Sequence, residues 1–356
     1  MYSLLQLQSY STPQQNLRLL HEIALSKGRE QLFIKQNPET LQSLLDLAII
    51  QSVKSSTAIE GVKVPEPAQL KKILSDATWK ARNRDEEDVL AYKNALAFLY
   101  RPRNLKKTLS VDFILGLSKI LWAHDKNKTG LKKHDNKIIL RFPDGRQLTR
   151  FEPPSAKKTP ALLKRSCSLY LEQIENPRLI DHQVISAFIF DFLCIHPLED
   201  GNGRLARLLH TFLLVQNGYN AVRYISLEGL VEQDKKGYYD SLHQSSKEWL
   251  AGKHRLNPWM NFSLGKLNLL YGKFERQILN YQKASLSSLD RPERATVEKA
   301  ILEIASGQVF SRKNLETQLL GIGISSRTIR RALEDLIKAG TILQEGSGRG
   351  TKYVKL

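Results

Sequence analysis

Cysteine is scarce in this chain and long hydrophobic runs are absent, and each scarcity excludes a class of protein. Two cysteines in 356 residues, Cys167 and Cys194, cannot form the disulfide framework of a small secreted domain. The longest apolar stretch near the middle, residues 187–195, is interrupted by Asp191 and is far shorter than the roughly 20 residues that span a bilayer. The first sixteen residues lack a basic start and an apolar core, so they predict no signal peptide. We expect a cytoplasmic protein with reduced cysteines and no membrane partner.

The composition is that of an ordinary globular protein, but the charge is unusual. Hydrophobic residues make up 41% and charged residues 25% of the chain, and 356 residues correspond to two or three domains of about 150 residues each. The formal net charge is +18, and residues 101–165 contain 17 basic against 5 acidic residues. Such a region favours acidic partners such as phosphate-bearing ligands, nucleic acid or acidic proteins, and a solvated surface explains it equally well.

The first 170 residues show apolar residues at helical spacing, for example in 41–53 and 90–99, so they predict a mainly helical domain. The exception is 137–151, where two short segments flank Pro143, Asp144 and Gly145. That turn chemistry predicts a β-hairpin. Because a single hairpin cannot sustain a sheet, we expect a flap that packs over another part of the molecule.

The last part of the chain predicts a separate small domain. The polar stretch that precedes Pro292 predicts a linker at 284–291. Behind it the pattern predicts three helices: one over 296–305, one capped by Ser311 that ends near Leu320, and one capped by Ser325 or Ser326 that runs to Gly340. Residues 341–344 and 352–355 then form a hairpin. Three helices followed by a hairpin are typical of a winged-helix domain.

Two helices are predicted around the most distinctive segment of the chain. Asp181 is expected to cap a helix that ends at Pro197 and is apolar on almost every face, so this should be the buried central helix. A second helix is expected to begin near Gly203 and to stop before Asn217. The connection at 196–204 reads His-Pro-Leu-Glu-Asp-Gly-Asn-Gly-Arg.

The residue types in this connection suit the transfer of a phosphorus-containing group. The Gly-Asn-Gly at 201–203 allows a close turn at a helix start, where unpaired backbone N–H groups bind anions. Arg204 and Arg207 are three residues apart, share one helix face and match phosphate oxygens. Asp200 is sufficient for Mg²⁺, which takes one or two carboxylates together with phosphate oxygens. His196 is placed to act as a general base near neutral pH.

Simpler interpretations compete with this one. The glycines could form an ordinary interhelical turn with surface arginines beside it, and His196 with Asp200 could ligate a transition metal, although no third ligand has suitable spacing. The complete set is too specific for these. It resembles the signature of the Fic (filamentation induced by cAMP) family, His-Pro-Phe-x-Asp/Glu-Gly-Asn-Gly-Arg-x-x-Arg. Leu198 stands where the family usually has Phe, and we expect it to face the core. The matching positions are His196, Pro197, Asp200, Gly201, Asn202, Gly203, Arg204 and Arg207.

The resemblance extends over residues 30–270 and implies the fold class. It implies a mainly α protein, with a Fic-type helical bundle and a β-hairpin flap, followed by a C-terminal winged-helix domain. The implied domains are an N-terminal helical region with an inhibitory helix at 1–95, a Fic catalytic core at 96–283, the linker at 284–291 and a winged helix-turn-helix at 292–356.

The resemblance also implies an activity. Fic enzymes transfer AMP from ATP to a Ser, Thr or Tyr hydroxyl of a protein, which can be the enzyme itself, and release pyrophosphate. The hairpin at 137–151 would dock the target by strand addition, and its basic residues favour an acidic target surface. The implied site residues are His196 as the base, Asp200 for Mg²⁺, Gly201, Asn202 and Gly203 for the α-phosphate, Arg204 and Arg207 for the β- and γ-phosphates, and Tyr239 in the nucleotide site.

An upstream segment resembles the family's inhibitory motif, Ser/Thr-x-x-x-Glu-Gly/Asn. Ser56, Glu60 and Gly61 match it, in the arrangement where the inhibitory helix precedes the core. A carboxylate at a helix C-terminus is disfavoured by about 0.3 to 1 kcal/mol unless a cation meets it, and Arg207 is the expected cation. That pair would occupy the group that the γ-phosphate needs. For the short motif alone, an ordinary exposed glutamate at a helix end is the alternative.

The last predicted helix suits DNA recognition, because Arg327, Thr328, Arg330 and Arg331 cluster in its first turns. Residues 290–356 carry 12 basic and 8 acidic residues, so protein docking or dimerisation stays an alternative.

Two alternatives to AMP transfer also stay open: a DNA-binding regulator that senses nucleotides, and removal of AMP from targets by the same site. The sequence leaves open the target, the donor beyond ATP and the formation of a homodimer.

Overall fold

The computed structural model of the chain is built mainly from helices. It describes residues 2–36, 38–65, 67–76, 78–141, 147–289, 292–304, 308–319, 323–346 and 348–356. The helices are α1 (Tyr2–Gln6), α2 (Gln14–Gln36), α3 (Pro38–Ile59), α4 (Pro67–Ser75), α5 (Arg84–Tyr100), α6 (Pro102–Leu105), α7 (Val111–Leu121), α8 (Thr159–Ile174), α9 (Asp181–Ile195), α10 (Asn202–Gln216), α11 (Leu227–Gln233), α12 (Lys235–Ser246), α13 (Asn257–Leu289), α14 (Pro292–Glu303), α15 (Arg312–Leu319) and α16 (Ser326–Lys338). The strands are β1 (Ile138–Arg141), β2 (Gln147–Phe151), β3 (Val309–Ser311), β4 (Ile342–Glu345) and β5 (Lys352–Lys355). Within these ranges, no helix is both long and apolar enough to cross a membrane.

The central helix of the larger core is α9, as its apolar faces predict. Every residue from His182 to Ile195 is buried, and the helix packs against α8, α10 and α13. The predicted cap is wrong by one position. Ile180 lies at the N-cap, and Asp181 is the first helical residue. The carboxylate of Asp181 instead accepts hydrogen bonds from the hydroxyl of Tyr219 and from the backbone N–H of His182.

A buried carboxylate joins the helices that surround the candidate site. Glu228, in the first turn of α11, is 2% exposed. It accepts hydrogen bonds from the hydroxyl of Ser52 in α3 at 2.8 Å and from that of Tyr92 in α5 at 3.0 Å. Burial and the neighbouring carboxylate raise the pKa of Tyr92 well above 10, so the phenol keeps the proton that it donates. Because removal of one partner would leave a buried charge without compensation, this network fixes α3 against α5 and α11.

The hairpin is present where it is predicted. β1 and β2 are antiparallel, with Leu140 opposite Leu148 and a bulge between Ile138 and Ile139. β2 contacts α12. The predicted turn residues 143–145 lie outside the described residues. The hairpin is therefore an arm that lies on the helical core, as expected for a flap.

The predicted linker at 284–291 is wrong for most of its length. α13 continues as one helix of 33 residues to Leu289. The chain has no glycine and no proline from 273 to 291, so nothing in the backbone stops this helix, and serine is only moderately less favourable than alanine in a helix. Residues 290 and 291 lie outside the described residues.

Residues beyond α13 build a second hydrophobic core of their own. The elements follow the order α14, β3, α15, α16, β4 and β5, and the three strands form an antiparallel sheet with the order β3-β5-β4. α14 begins at Pro292, four residues before the predicted start, because proline is well suited to the first turn of a helix. Its predicted end at Ala305 lies outside the described residues, as does Leu320.

Serine hydroxyls cap the next two helices of this small core. Ser311 accepts a hydrogen bond from the backbone N–H of Asn314 at 3.2 Å, and Ser325 accepts one from that of Thr328 at 3.2 Å. Ser325, rather than Ser326, is thus the cap of α16. Ile329 and Leu333 of α16 are buried. The arginines of the same helix that we assigned to DNA, Arg327, Arg330 and Arg331, are exposed.

Two histidines are buried in the larger core without full pairing. His182 in α9 is fully buried, His210 in α10 is 9% exposed, and their ring centroids lie 6.5 Å apart. The Nδ1 of His182 and the Nε2 of His210 have no hydrogen-bond partner among the described residues. Burial lowers the pKa of His182 to about 4 and that of His210 to about 3. Both imidazoles are therefore neutral in the folded protein at neutral pH.

The free energy of unfolding should fall as the pH is lowered from 7 to 5. The unfolded histidines bind protons near pH 6.5 and the folded ones do not, so acid favours the unfolded state. In urea titrations at pH 7, 6 and 5, His210→Leu should make the pH dependence shallower by about 1 kcal/mol per pH unit below pH 6.5. The same substitution at the exposed His21 is the matched control. An unchanged slope in His210→Leu would contradict the assignment.

Candidate active site

The connection between α9 and α10 is held in a fixed shape by its own residues. His196 ends α9 in the left-handed conformation with φ 49°, and Gly201 adopts φ 81° before α10 begins. The side chain of Asn202 closes the loop between them: its Oδ1 accepts from the backbone N–H of Leu198 at 2.9 Å, and its Nδ2 donates to the carbonyl of the same residue at 3.0 Å. Leu198 is fully buried, as expected, and forms a β-bridge with Leu131.

His196 is held in the tautomer that a general base needs. Its Nδ1 lies 3.2 Å from the carbonyl oxygen of Leu193, and because a carbonyl only accepts, Nδ1 carries the proton. Nε2 is left with its lone pair. Burial lowers the pKa of His196 to about 4, against the opposing effect of the Leu193 hydrogen bond, so the ring is neutral near pH 7. A neutral imidazole with a free Nε2 can take a proton from a hydroxyl.

Lys132 lies at the C-terminal end of α9, close to His196, and it was not predicted from the sequence as a site residue. It is 4% exposed, and its ammonium group donates to the carbonyl of Ile195 at 3.2 Å and to the side chain of Asn136 at 3.1 Å. Burial lowers its pKa to about 8. Its position at the C-terminus of α9 places a cation where the helix dipole favours one. One lysine among many gave no sequence signal for this role.

Trp122, which follows α7, supports the loop through a hydrogen bond and was also not predicted as a site residue. Its Nε1 donates to the carbonyl of Asp200 at 3.1 Å. A Cβ atom on Gly201 would lie 2.9 Å from that nitrogen, so close approach as well as positive φ requires glycine here. The indole ring also lies 4.6 Å from the guanidinium of Arg204.

Arg204 is committed to a protein carboxylate. Its Nη1 donates to Oδ1 of Asp88 in α5 at 2.5 Å, and both side chains are buried. The expectation that Arg204 and Arg207 together face one polyphosphate therefore does not describe this arrangement. A buried guanidinium needs an anion, and Asp88 supplies it, so that Arg204 ties α10 to α5 and Trp122.

Arg207 meets the residues of the upstream motif. α3 ends at Ile59, Glu60 follows in the turn and Gly61 has φ 83°. The Nη2 of Arg207 lies 2.7 Å from Oε1 of Glu60, and its Nε and Nη2 donate to the hydroxyl and the carbonyl of Ser56, each at 3.0 Å. Burial opposes the charge of Arg207, but the Glu60 carboxylate outweighs it and raises the pKa. The pairing expected from the sequence is thus present.

Asp200 has the properties of a ligand for a hard cation. Its side chain is 49% exposed at the edge of the loop. Its Oδ1 accepts from the backbone N–H of Gly201 at 2.6 Å, and its Oδ2 lies 2.9 Å from the ammonium group of Lys128. Among the described residues, no group of three or more His, Cys, Asp or Glu side chains could hold a metal. A single carboxylate beside an anion-binding loop fits Mg²⁺, which takes its other ligands from phosphate and water.

Comparisons with known proteins show what this site is similar to. Residues 108–214, which contain the loop, α9 and most of α10, match the model of the Fic/DOC family. This stretch of the chain is similar to a Fic domain. Members of this family generally transfer a nucleoside monophosphate to proteins. No curated protein matches the chain at a significant level.

Solved structures show the same fold. A Fic family protein from Desulfovibrio desulfuricans G20 is 19% identical with a TM-score of 0.58, over 98% of this chain and 97% of that chain. A Fic domain containing signaling protein from Bacteroides thetaiotaomicron VPI-5482 is 21% identical with a TM-score of 0.57, over 71% of this chain and 97% of that one. Fic-1 from C. elegans is 19% identical with a TM-score of 0.53, over 72% of this chain and 71% of that one.

Tyr239 lies between the Fic site and the flap. The guanidinium of Arg150, in β2, lies 5.4 Å from its ring. Burial, together with the charge of Glu60, raises the pKa of Tyr239, so the phenol stays protonated. The two cysteines are buried, and burial raises the pKa of Cys167 to about 12, so the thiol stays protonated and Cys167 is a small core residue.

Gly203, in the first turn of α10, has no room for a side chain beside the Glu60–Arg207 pair. A Cβ atom there would overlap the Glu60 carboxylate and would lie 3.3 Å from Nη1 of Arg207. We expect Gly203→Ala to displace the Glu60 carboxylate from Arg207 and to lower the unfolding free energy by about 1 kcal/mol relative to the control described below. In a Glu60→Gly background most of that decrease should vanish, because the overlapping carboxylate is gone.

Urea unfolding of the four proteins of this cycle would measure the coupling. Gly272→Ala in α13 is the matched control, since nothing lies within 4 Å of its new Cβ atom. An equal decrease from Gly203→Ala in both backgrounds would show that Glu60 does not pack against α10 in solution.

Proposed function

We propose that this chain is a protein adenylyltransferase that is held in a self-inhibited state by Glu60. The observation that carries the proposal is the contact between Glu60 and the buried Arg207, 2.7 Å long, beside a Fic loop whose neutral histidine carries its proton on Nδ1. The loop, which matches the signature at every specified position except Leu198, favours catalysis, and the contact explains how the activity is restrained.

The reaction would use the loop as follows. The hydroxyl of a Ser, Thr or Tyr loses its proton to Nε2 of His196 as its oxygen attacks the α-phosphorus of ATP. The new bond joins that oxygen to AMP, and the bond to the β-phosphate breaks, so pyrophosphate leaves. The backbone N–H groups of Asn202 and Gly203 would hold the α-phosphate at the start of α10, whereas the N–H of Gly201 donates to Asp200. Mg²⁺ bound at Asp200 would neutralise charge on the phosphate oxygens.

The two arginines have different proposed roles. Arg207 is our proposed ligand of the γ-phosphate, because its present partner Glu60 is 34% exposed in its side chain and sits at a helix end from which it can be displaced. Arg204 is a positioning residue, because Asp88 already neutralises it. While Glu60 keeps Arg207, ATP lacks this clamp and binds in an unproductive pose.

The hairpin is the proposed docking site for the target. A ribbon of two strands leaves each strand one edge for a further strand. Ile139 of β1 is 42% exposed, which provides an apolar contact on that edge. The neighbouring basic residues favour a target segment that carries acidic side chains.

Release of Arg207 should raise self-modification. Glu60→Gly should increase ³²P incorporation from α-labelled ATP by at least about 10-fold, which corresponds to about 1.4 kcal/mol of transition-state stabilisation. Arg207→Ala in the same background should remove the gain, since the γ-phosphate then lacks its clamp.

His196→Ala in the Glu60→Gly background is the control, and it should abolish labelling while calorimetry still detects ATP. If Glu60→Gly leaves the label unchanged, the inhibitory role is wrong. If AMP is instead removed from a labelled target more rapidly by the wild type than by Glu60→Gly, the same site removes AMP, with Glu60 aligning a water molecule.

A second function, DNA binding, is favoured by one observation on the C-terminal core. α16 buries Ile329, Leu333 and Leu336 and exposes Arg327 and Arg331 on its other side. The three helices and the β4–β5 hairpin follow the predicted order, with the unpredicted strand β3 between the first two helices, and in a winged-helix domain the third helix would enter the major groove. The enzyme would then be recruited to DNA, or its target would be a DNA-bound protein.

DNA binding by the full chain should depend on these arginines. If Arg327, Arg330 and Arg331 bind phosphates, their replacement by Ala should flatten the plot of log K against log salt by about 0.9 for each arginine that binds one. A control with Ala at the exposed Arg18, Arg178 and Lys253, on the larger core, should keep the wild-type slope. Equal slopes in all three proteins would assign the C-terminal core to protein docking.

A further inference from the structure

Lys128 occupies the metal side of the Fic loop. Its ammonium group lies 2.9 Å from Oδ2 of Asp200, while Oδ1 of the same carboxylate accepts from the N–H of Gly201 at 2.6 Å. Both oxygens of the proposed metal ligand are therefore engaged by donors of this chain. A divalent cation bound at Oδ2 would lie close to the ammonium group, and the repulsion between the two cations opposes metal binding while the ammonium group stays there.

The backbone keeps Lys128 close to Asp200. Lys128 ends a 3₁₀ turn, residues 126–128, whose first N–H groups are capped by Asp125 through a 3.1 Å bond to the N–H of Asn127. Three residues later Leu131 bridges Leu198 on the catalytic loop, and the N–H of Lys132 donates to the carbonyl of Pro197 at 2.9 Å. The lysine is thus tethered close to the loop, and its effective concentration at Asp200 is high.

The ammonium group of Lys128 also contacts the indole ring of Trp122. The Nζ of Lys128 lies 4.2 Å from the centroid of the indole ring, within the range of a cation–π contact. The same ring is fixed by its bond to the carbonyl of Asp200. When a metal ion takes Oδ2, Lys128 can retain its contact with the ring, so exchange requires only a small movement of the side chain.

We propose that Lys128 competes with the divalent metal ion for Asp200 and thereby sets the metal concentration at which the site can be loaded. This inference rests on the proposed function, because Asp200 is the metal ligand there. It adds a second restraint to that of Glu60: one holds the arginine of the γ-phosphate, and the other holds the carboxylate of the metal.

Mn²⁺ binding to the full chain, measured by electron paramagnetic resonance in the presence of saturating ADP, tests the proposal without an activity assay. Because Asp200 is half exposed, the pair is a weak one, and Lys128→Met should tighten Mn²⁺ binding by about two- to five-fold. Lys126→Met, an exposed lysine in the same turn, is the matched control and should bind Mn²⁺ as the wild type does. Metal-free calorimetry sets the saturating ADP concentration for each variant.

The outcomes separate this inference from the proposed function. Unchanged or weaker Mn²⁺ binding in Lys128→Met, with Asp200→Asn still abolishing it, would overturn the competition and leave the metal ligand in place. Equal Mn²⁺ binding in Asp200→Asn and the wild type would overturn the assignment of Asp200 itself. Tighter binding in Lys128→Met but not in Lys126→Met would support the competition.

Discussion

A buried guanidinium cannot remain without an anion, and this constraint on Arg207 organises the site. In the structure the anion is Glu60, which follows α3, and the hydroxyl of Ser56 accepts a further hydrogen bond from the guanidinium. Removal of a partner from a buried charge costs several kcal/mol unless another takes its place. A phosphate group can take that place. The contact therefore restrains α3, and in the proposed function it occupies the position of a nucleotide phosphate.

The loop between α9 and α10 is held in place by neighbouring side chains. Asn202 closes the loop on Leu198, Trp122 supports Asp200 from below and Asp88 neutralises Arg204. These contacts hold the backbone at the start of α10 in place, so a bound anion would not have to order the loop. Preorganised donors of this kind are the usual basis of electrostatic catalysis.

The elements around the loop are fixed by burial over long sequence distances. α9 is buried from His182 to Ile195, and Glu228 joins α3, α5 and α11 in one polar network. Glu60, which follows α3, is thereby attached to the same core as His196. The C-terminal helices and strands have a separate core.

The sequence alone was sufficient for the local features. Apolar periodicity predicted the central helices, turn chemistry predicted the hairpin, and the motif from His196 to Arg207 predicted the resemblance to the Fic family that the family model also finds. The motif at 56–61 predicted the partner of Arg207. Local patterns carry these features because each depends on residues close together in the chain or on a motif that fixes its own geometry.

Only the tertiary structure decided the rest. The partner of Arg204 is Asp88, 116 residues away, and the supports Trp122, Lys128 and Lys132 come from a segment without a motif. The helix through 284–289 likewise contradicted a polar composition that is typical of linkers. The pairing of charged side chains and the length of α13 depend on packing between segments that are distant in the chain. That packing leaves no local pattern in a single sequence.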